Sequence, residues 1–291
     1  MTEAPVEHRY VTADDGVRIA YRSAGRAERV AIVPASSWLA NDLAPLADHA
    51  RLVFYDVRGQ GASDPVGDDR IGFARDVQDV ECLRRELAVE RIALLGWSYH
   101  GAVAARYAFA HPDRVERLLL VGPVAPRAAP HWRHYLESFG KRLDVKALRA
   151  LEAMRRARIK DQDPLAWCRA HTELILKVYV ADPVALRGMK SSPCVRPNLD
   201  PEAVNQQMLK VITAMGDYDW RSEMHGFPVA TLILHGDRDP VPLAGSHEWV
   251  AALPNARLVV LPGCGHLPWL EQPDRFFPEC AAFLRGDADA S

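Results

Sequence analysis

Three residues, far apart in the chain, have the types that nucleophilic catalysis needs: Ser98 in LLGWSYHG, Asp239 in HGDRDPVP and His266 in GCGHLPWLEQP. A hydroxyl attacks poorly until a base takes its proton, and the base needs an acid to fix its tautomer. Ser98 follows the apolar run RIALLGW and precedes a helical stretch, so it falls on a strand-turn-helix, with Gly96 leaving room for a strained turn. Asp239 follows TLILHG, and His266 follows RLVVLPG. Singly, each has a structural explanation, because an Asp past a strand caps helices and a lone His serves packing. Together they lie just past the ends of three apolar runs, at the edge where open α/β sheets place their sites. Asp237, two residues earlier, is a rival acid.

To bring those tips together the chain must alternate strands and helices. HRYVTADDGVRIAYRSAG alternates apolar and polar residues about Asp15-Gly16, which predicts an opening hairpin. Buried runs at VAIVPA, RLVFYDV, RIALLGW and RLLLVGP follow, separated by helical stretches near 38–50, 72–87 and 100–110. From 124 to 228 no buried strand is visible; the stretch is helical, charged and broken by prolines. The strand pattern resumes at VATLILHGD and ARLVVLPG, with helices near 246–253 and 274–285. The expected organisation is one α/β core, residues 1–123 and 229–291, interrupted by a helical cap at 124–228 after the sixth strand.

Three further motifs carry a resemblance. YDVRGQGASD looks like a D-x-R-G-x-G-x-S turn, AHPDRVERLLLVGP like a helix-to-strand link, and Gly-Trp-Ser-x-x-Gly like a nucleophile elbow. With the Ser, Asp, His order, these resemble the α/β-hydrolase superfamily with a helical cap, over almost the whole chain. The resemblance implies an α/β-hydrolase fold with a mostly parallel sheet of about eight strands flanked by helices. It favours Asp239 over Asp237, since the family's acid stands at the G-x-x-D position; the alternative site after the preceding strand reads Gly122-Pro123. It also implies an oxyanion hole from the backbone N–H of Tyr99 and of Ser36, although Pro34-Ala35 replaces the family's His-Gly pair. Asp56 and Arg58 read as structural partners. The segment GDYDWRSEMHGFPVATLILHGDRDPVP has a proline-iminopeptidase-like character, and the elbow is similar to that of carboxylesterases acting on carrier-bound acyl methyl esters.

The elbow departs from the family at His100, where glycine is usual. The reading adopted for it is structural, the ring turning away from the strand contact while Gly101 supplies the close approach; the competing reading is a second base beside Ser98. Substrate-lining candidates are Trp97, Ser37, Trp132, Tyr135 and Trp269, with Tyr99, Trp167, Tyr179 and Met189 behind them. Ser36 and Ser37 serve equally as extra donors or as a helix cap.

Composition bounds the partners. Lys and Arg (36) nearly balance Asp and Glu (38), which argues against a nucleic-acid partner. The 124–228 stretch holds 17 basic and 12 acidic residues, net +5, against −7 elsewhere; Arg155, Arg156, Arg158 and Lys160 crowd together and either attract an anionic or carrier-bound substrate or line a solvated helix face. No apolar run reaches the length of a membrane span and the first residues lack a signal pattern, so the expectation is a soluble cytoplasmic protein, monomer or homodimer, without membrane contact. Five scattered cysteines predict reduced, buried thiols. No cofactor or metal is implied. Three functions remain open: serine hydrolysis of a small-molecule ester, lactone or thioester, with amide hydrolysis its aminopeptidase variant; a lyase, acyl transferase or cofactor-free oxygenase on the same residues; or a binding protein with a decayed site.

Overall fold

The computed structural model describes residues 8–195 and 200–287, the side chains of Ser36, Ser37 and Val195 excepted. Its eight strands are β1 (Arg9–Thr12), β2 (Arg18–Ala24), β3 (Val30–Pro34), β4 (Arg51–Tyr55), β5 (Ile92–Trp97), β6 (Val115–Val121), β7 (Ala230–Gly236) and β8 (Ala256–Leu261). They form one sheet in the order β1-β2-β4-β3-β5-β6-β7-β8. The hairpin at Asp15-Gly16 makes β1 and β2 antiparallel, β2 runs antiparallel to β4, and every later pairing is parallel. This is the α/β-hydrolase fold that the motifs imply.

Parallel strands need crossovers, and these put apolar helices on both faces of the sheet. Successive residues of a strand therefore alternate between two cores: Ile32 and Val53 on one face, Val33 and Phe54 on the other. The helices before the sixth strand are α1 (Ser36–Leu39), α2 (Phe73–Glu86) and α3 (Tyr99–Ala110). The helix expected near 38–50 is not continuous. After α1 the chain makes only a 3-10 turn, Ala44–Asp48, with Pro45 in its first turn, because Asp42 is taken up elsewhere: its carboxylate accepts the Lys190 and Ser191 amides at 2.8 and 2.9 Å.

Between β6 and β7 lie α4 (His131–Arg142), α5 (Val145–Arg156), α6 (Ile159–Gln162), α7 (Pro164–Tyr179) and α8 (Pro201–Ala214). Three begin on an aspartate that caps the first free amides, Asp144, Asp163 and Asp200. The segment leaves and rejoins the core through a short paired stem, in which Ala128 N–H donates to the Tyr218 carbonyl and Trp220 N–H to that of Pro126, both at 2.9 Å. The chain ends with α9 (Leu243–Ala252), α10 (Pro268–Glu271) and α11 (Pro273–Arg285).

The cysteine expectation needs correction. Cys82, Cys264 and Cys280 are free and buried, but Cys168 on α7 and Cys194 form a disulfide. The path of α7 and the following turns brings their Cα atoms to 5.7 Å, within disulfide range, and a separation of 26 residues carries no local signal of that.

Candidate active site

Ser98 stands between β5 and α3 with φ 57° and ψ −127°, a conformation that side chains rarely adopt. Such a turn lifts the side chain off the end of the strand, and it needs the following helix to pass very close to the strand. Gly96 permits this: a Cβ there would meet the His100 carbonyl oxygen at 2.5 Å and Gly101 Cα at 2.6 Å. Gly101 in turn packs on Pro123, its hypothetical Cβ 3.0 Å from the proline ring. Tyr99 is the first residue of α3, where amides have no intrahelical acceptor. Its phenol is buried and donates to Asp76 Oδ2 at 2.7 Å; burial pushes the Asp76 carboxyl up to about 7.

The strand order puts the loops after β5, β6, β7 and β8 side by side, and so Ser98, Gly122, Asp239 and His266. His266 Nδ1 lies 2.7 Å from Asp239 Oδ2, and both side chains are 1% exposed. A carboxylate only accepts, so Nδ1 carries the proton and Nε2 presents a lone pair. That Nε2 is buried and has no hydrogen-bond partner among the described residues. The other Asp239 oxygen accepts the Val241 amide at 2.7 Å, which orients the carboxylate. Asp237 faces elsewhere, accepting from Gly263 N–H. Gly122, at the end of the strand between nucleophile and acid, touches this pair: a Cβ there would lie 2.7 Å from His266 Nδ1 and 2.8 Å from Asp239 Oδ2.

A cavity of about 430 Å³ opens above these loops, lined by Ser98 and His266 below and by α4, α7 and α8 above. Trp97, Tyr99, Trp132, Tyr135 and Tyr179 are in its wall. Trp269 is not: it is buried behind Trp97, ring centroids 5.3 Å apart, and packs on Phe276, so it backs the wall instead of lining it. Trp167 is buried with Leu151 and Leu174 inside the helical segment, and Met189 packs against the core that holds Val33 and Phe54. Ser36 opens α1; its side chain and that of Ser37 lie outside the described atoms. His100 lines the cavity, 7% exposed, its ring edge-on to Tyr99. Burial holds its pKa down at about 4, leaving a neutral imidazole with no hydrogen bond to Ser98, and Gly96 with Gly101 makes the close approach that a glycine at 100 would otherwise supply.

Several lining residues have no signature in the sequence. Arg127 and His131 stand in the wall, and both bond to Glu248 of α9: two arginine contacts at 2.6 and 2.7 Å, and His131 Nε2 at 3.0 Å. The Arg127 guanidinium holds the Glu248 carboxyl down at about 2. Gln60, in the turn expected to be structural, also reaches the cavity, whereas Arg58 is buried on Asp79 and Asp15 and Asp56 accepts from Ala62 N–H, as structural partners do. Of the four clustered cations, three are paired inside the helical segment: Arg155 with Glu152 and Glu202, Arg158 with Asp161, Lys160 with Asp200 and Glu202.

The profile of the family described as alpha/beta hydrolase fold matches residues 33–273. A pimeloyl-[acyl-carrier protein] methyl ester esterase of Nitrosomonas europaea is 29% identical over 243 residues, 79% of this chain and 84% of the relative. A 2-hydroxymuconate semialdehyde hydrolase of Pseudomonas putida is 27% identical over 248 residues, covering 82% and 78%. Among solved structures, a meta-cleavage product hydrolase from Pseudomonas fluorescens superposes with a TM-score of 0.72 at 20% identity, covering 96% of this chain and 98% of the other. An esterase from Exiguobacterium antarcticum gives 0.71 at 20% identity, covering 96% and 100%.

Proposed function

The chain belongs to the alpha/beta hydrolase fold family, and from that premise we propose that this ester hydrolase works through an acyl-enzyme on Ser98, with His266 as base and Asp239 as its orienting acid. The observation that carries the reading is the Asp239–His266 hydrogen bond of 2.7 Å, which leaves Nε2 unpartnered beside a cavity that Ser98 also lines. His266 Nε2 takes the Ser98 proton as Oγ attacks the ester carbonyl, and the Tyr99 and Ser36 amides receive the oxyanion. The imidazolium then protonates the leaving alcohol, and a water activated by the same nitrogen releases the acid.

Residues 124–228 act as the cap that closes the cavity and selects the substrate. The wall is mostly aromatic and aliphatic, and its arginine is neutralised by Glu248, so the group it selects is uncharged and apolar. Among the described residues the lining contains no carboxylate to hold a substrate amine, which disfavours the aminopeptidase variant. The substrate class is therefore a neutral ester of a bulky apolar acid, free or presented at the mouth by a carrier.

Stopped-flow turnover of a p-nitrophenyl ester series tests this. The expected result is a product burst of one per active site, a preference for bulky neutral acyl groups, and loss of both in Ser98→Ala. Turnover unchanged in Ser98→Ala would remove the acyl-enzyme, and product formed without incorporation of solvent oxygen would move the chemistry to a lyase or transferase.

A further inference from the structure

Tyr179 is the last residue of α7, in the cap, yet two of its contacts reach the histidine loop of the core. Its carbonyl accepts the His266 N–H at 2.6 Å. Its ring lies along the imidazole, centroids 4.9 Å apart and planes 27° apart. Its hydroxyl is 2.8 Å from that of Tyr135 on α4. The next residues are clasped as well: the Ala181 and Asp182 amides donate to Glu271 Oε1 at 2.6 and 3.3 Å, while Oε2 accepts the Gly265 N–H at 2.8 Å. The core holds the same histidine from its carbonyl, which accepts from Trp97 Nε1–H at 2.9 Å. The amide of His266 is thus tied to the cap and its carbonyl to the core.

We propose that Tyr179 is a positioning residue for the base, so that the cap does more than cover the substrate: its helix α7 completes His266, and the chemical step runs with the cap seated. This rests on His266 being the base. During attack the imidazole gains a positive charge, and an aromatic face alongside it attracts that charge. The stacked ring also limits rotation about the bond that carries the imidazole, keeping Nε2 aimed at Ser98 while Asp239 holds Nδ1. The main-chain bond would survive any side chain at 179; the near-parallel approach of the ring is what belongs to tyrosine. His266 itself meets Asp239 from the loop after β7 and the rings of Tyr179 and Trp97; the titratable groups around these partners are His235 of β7 against Asp239, Cys264 and Glu271 of the histidine loop and α10, with Glu271 bonded to Gly265 N–H, and Tyr135 of the cap against Tyr179. Burial keeps His235 neutral by lowering its pKa, and raises those of Cys264, Glu271, Tyr135 and Tyr179. Two rings flank the imidazole: Trp97 from the core, tilted by 40° at 5.1 Å, and Tyr179 from the cap, closer to parallel at 27° and 4.9 Å, so Tyr179 offers the more face-on ring to a charge on His266.

The test is a set of pH profiles on one neutral p-nitrophenyl ester. Tyr179→Leu removes the ring and keeps the carbonyl. Its kcat should fall about 10-fold with KM changed far less, and the acid limb of kcat/KM should move down by about 0.5 to 1 pH unit, because the imidazolium loses the face that favours it. Tyr179→Phe keeps the ring, so its acid limb should stay in place, and any remaining change should be matched by Tyr135→Phe, which breaks the same hydroxyl contact. If Tyr179→Leu does not fold, Tyr179→Met carries the same expectation. An acid limb that stays put without the ring, or that moves equally in Tyr179→Phe, overturns the proposal. Ser98→Ala separates the two readings: full turnover there overturns the acyl-enzyme and this proposal together, whereas lost turnover there with an unmoved limb in Tyr179→Leu overturns only the role of Tyr179.

Discussion

At the serine turn the tightest contacts join residues at most five apart in sequence: Gly96 against His100 and Gly101, and Ser98 in its own strained conformation, with Pro123 packed behind Gly101. In the wall above it the contacts run across the chain, Arg127 to Glu248 over 121 residues and Trp97 to His266 over 169. The first region is built by backbone geometry, where a single added carbon collides with main chain. The second is built by side chains, whose partners can rearrange. The nucleophile is therefore set by the local construction, whereas the base and the cavity wall depend on the long-range one, and substitutions in the two should fail differently.

The largest effect is expected of Gly122→Ala, beside the serine turn, where an added carbon meets not main chain but the side chains of the acid and base. Its Cβ would press on His266 Nδ1 and Asp239 Oδ2 from a position with φ +49°, and misplacing a reacting group by a fraction of an ångström is costly. The kcat should drop about 100-fold or more with KM little changed, as steady-state kinetics would show. A Gly122→Ala enzyme with near-normal kcat would mean that the acid and base tolerate displacement after all.

Glu248→Ala probes the other region. It leaves Arg127 as an uncompensated cation in the cavity wall and unties His131 from α9. For a neutral ester KM should rise about 3- to 10-fold with kcat nearly kept, and an ester with a carboxylate on its acyl group should become a better substrate. Equal losses in kcat for both esters would show that the clasp serves chemistry, not selection.

The smallest expected effect concerns Asp76 beneath Tyr99. Burial raises its folded pKa to about 7 from an ordinary 3.8, so the folded protein keeps a proton that the unfolded chain has lost. Between about pH 4 and 7 that difference makes stability fall as pH rises. Asp76→Asn retains an acceptor for the Tyr99 hydroxyl and cannot ionise. Its Tm should exceed the parent's by a few degrees at pH 7 and converge with it near pH 4, measured by calorimetry.

The same division explains what could be read from residues alone. The eight-strand fold was legible because buried runs and the Asp15-Gly16 turn are local signals, and the Ser98 turn was legible because strand, glycine and helix follow one another. The His100 problem was only half legible: its displacement of a glycine is visible, but that Gly96 and Gly101 leave its ring in the cavity wall depends on Pro123 packing behind them. The helix near 38–50 is broken because Asp42 serves amides almost 150 residues away. Trp269 backs the wall instead of lining it because Trp97 stands in front, and the Cys168–Cys194 bond depends on the path of the whole helical segment. Glu271 and Glu248 had no motif to betray them; each is one carboxylate on a short helix whose partners come from elsewhere.

The central claim is a covalent intermediate on Ser98, and the most direct measurement is mass spectrometry of the protein quenched during turnover of a slow ester. The account predicts that the acyl mass appears on the peptide carrying Ser98, decays with the turnover rate, and is absent from Ser98→Ala. Turnover at full rate with no acyl group on that peptide, or with the acyl group on another residue, would contradict it.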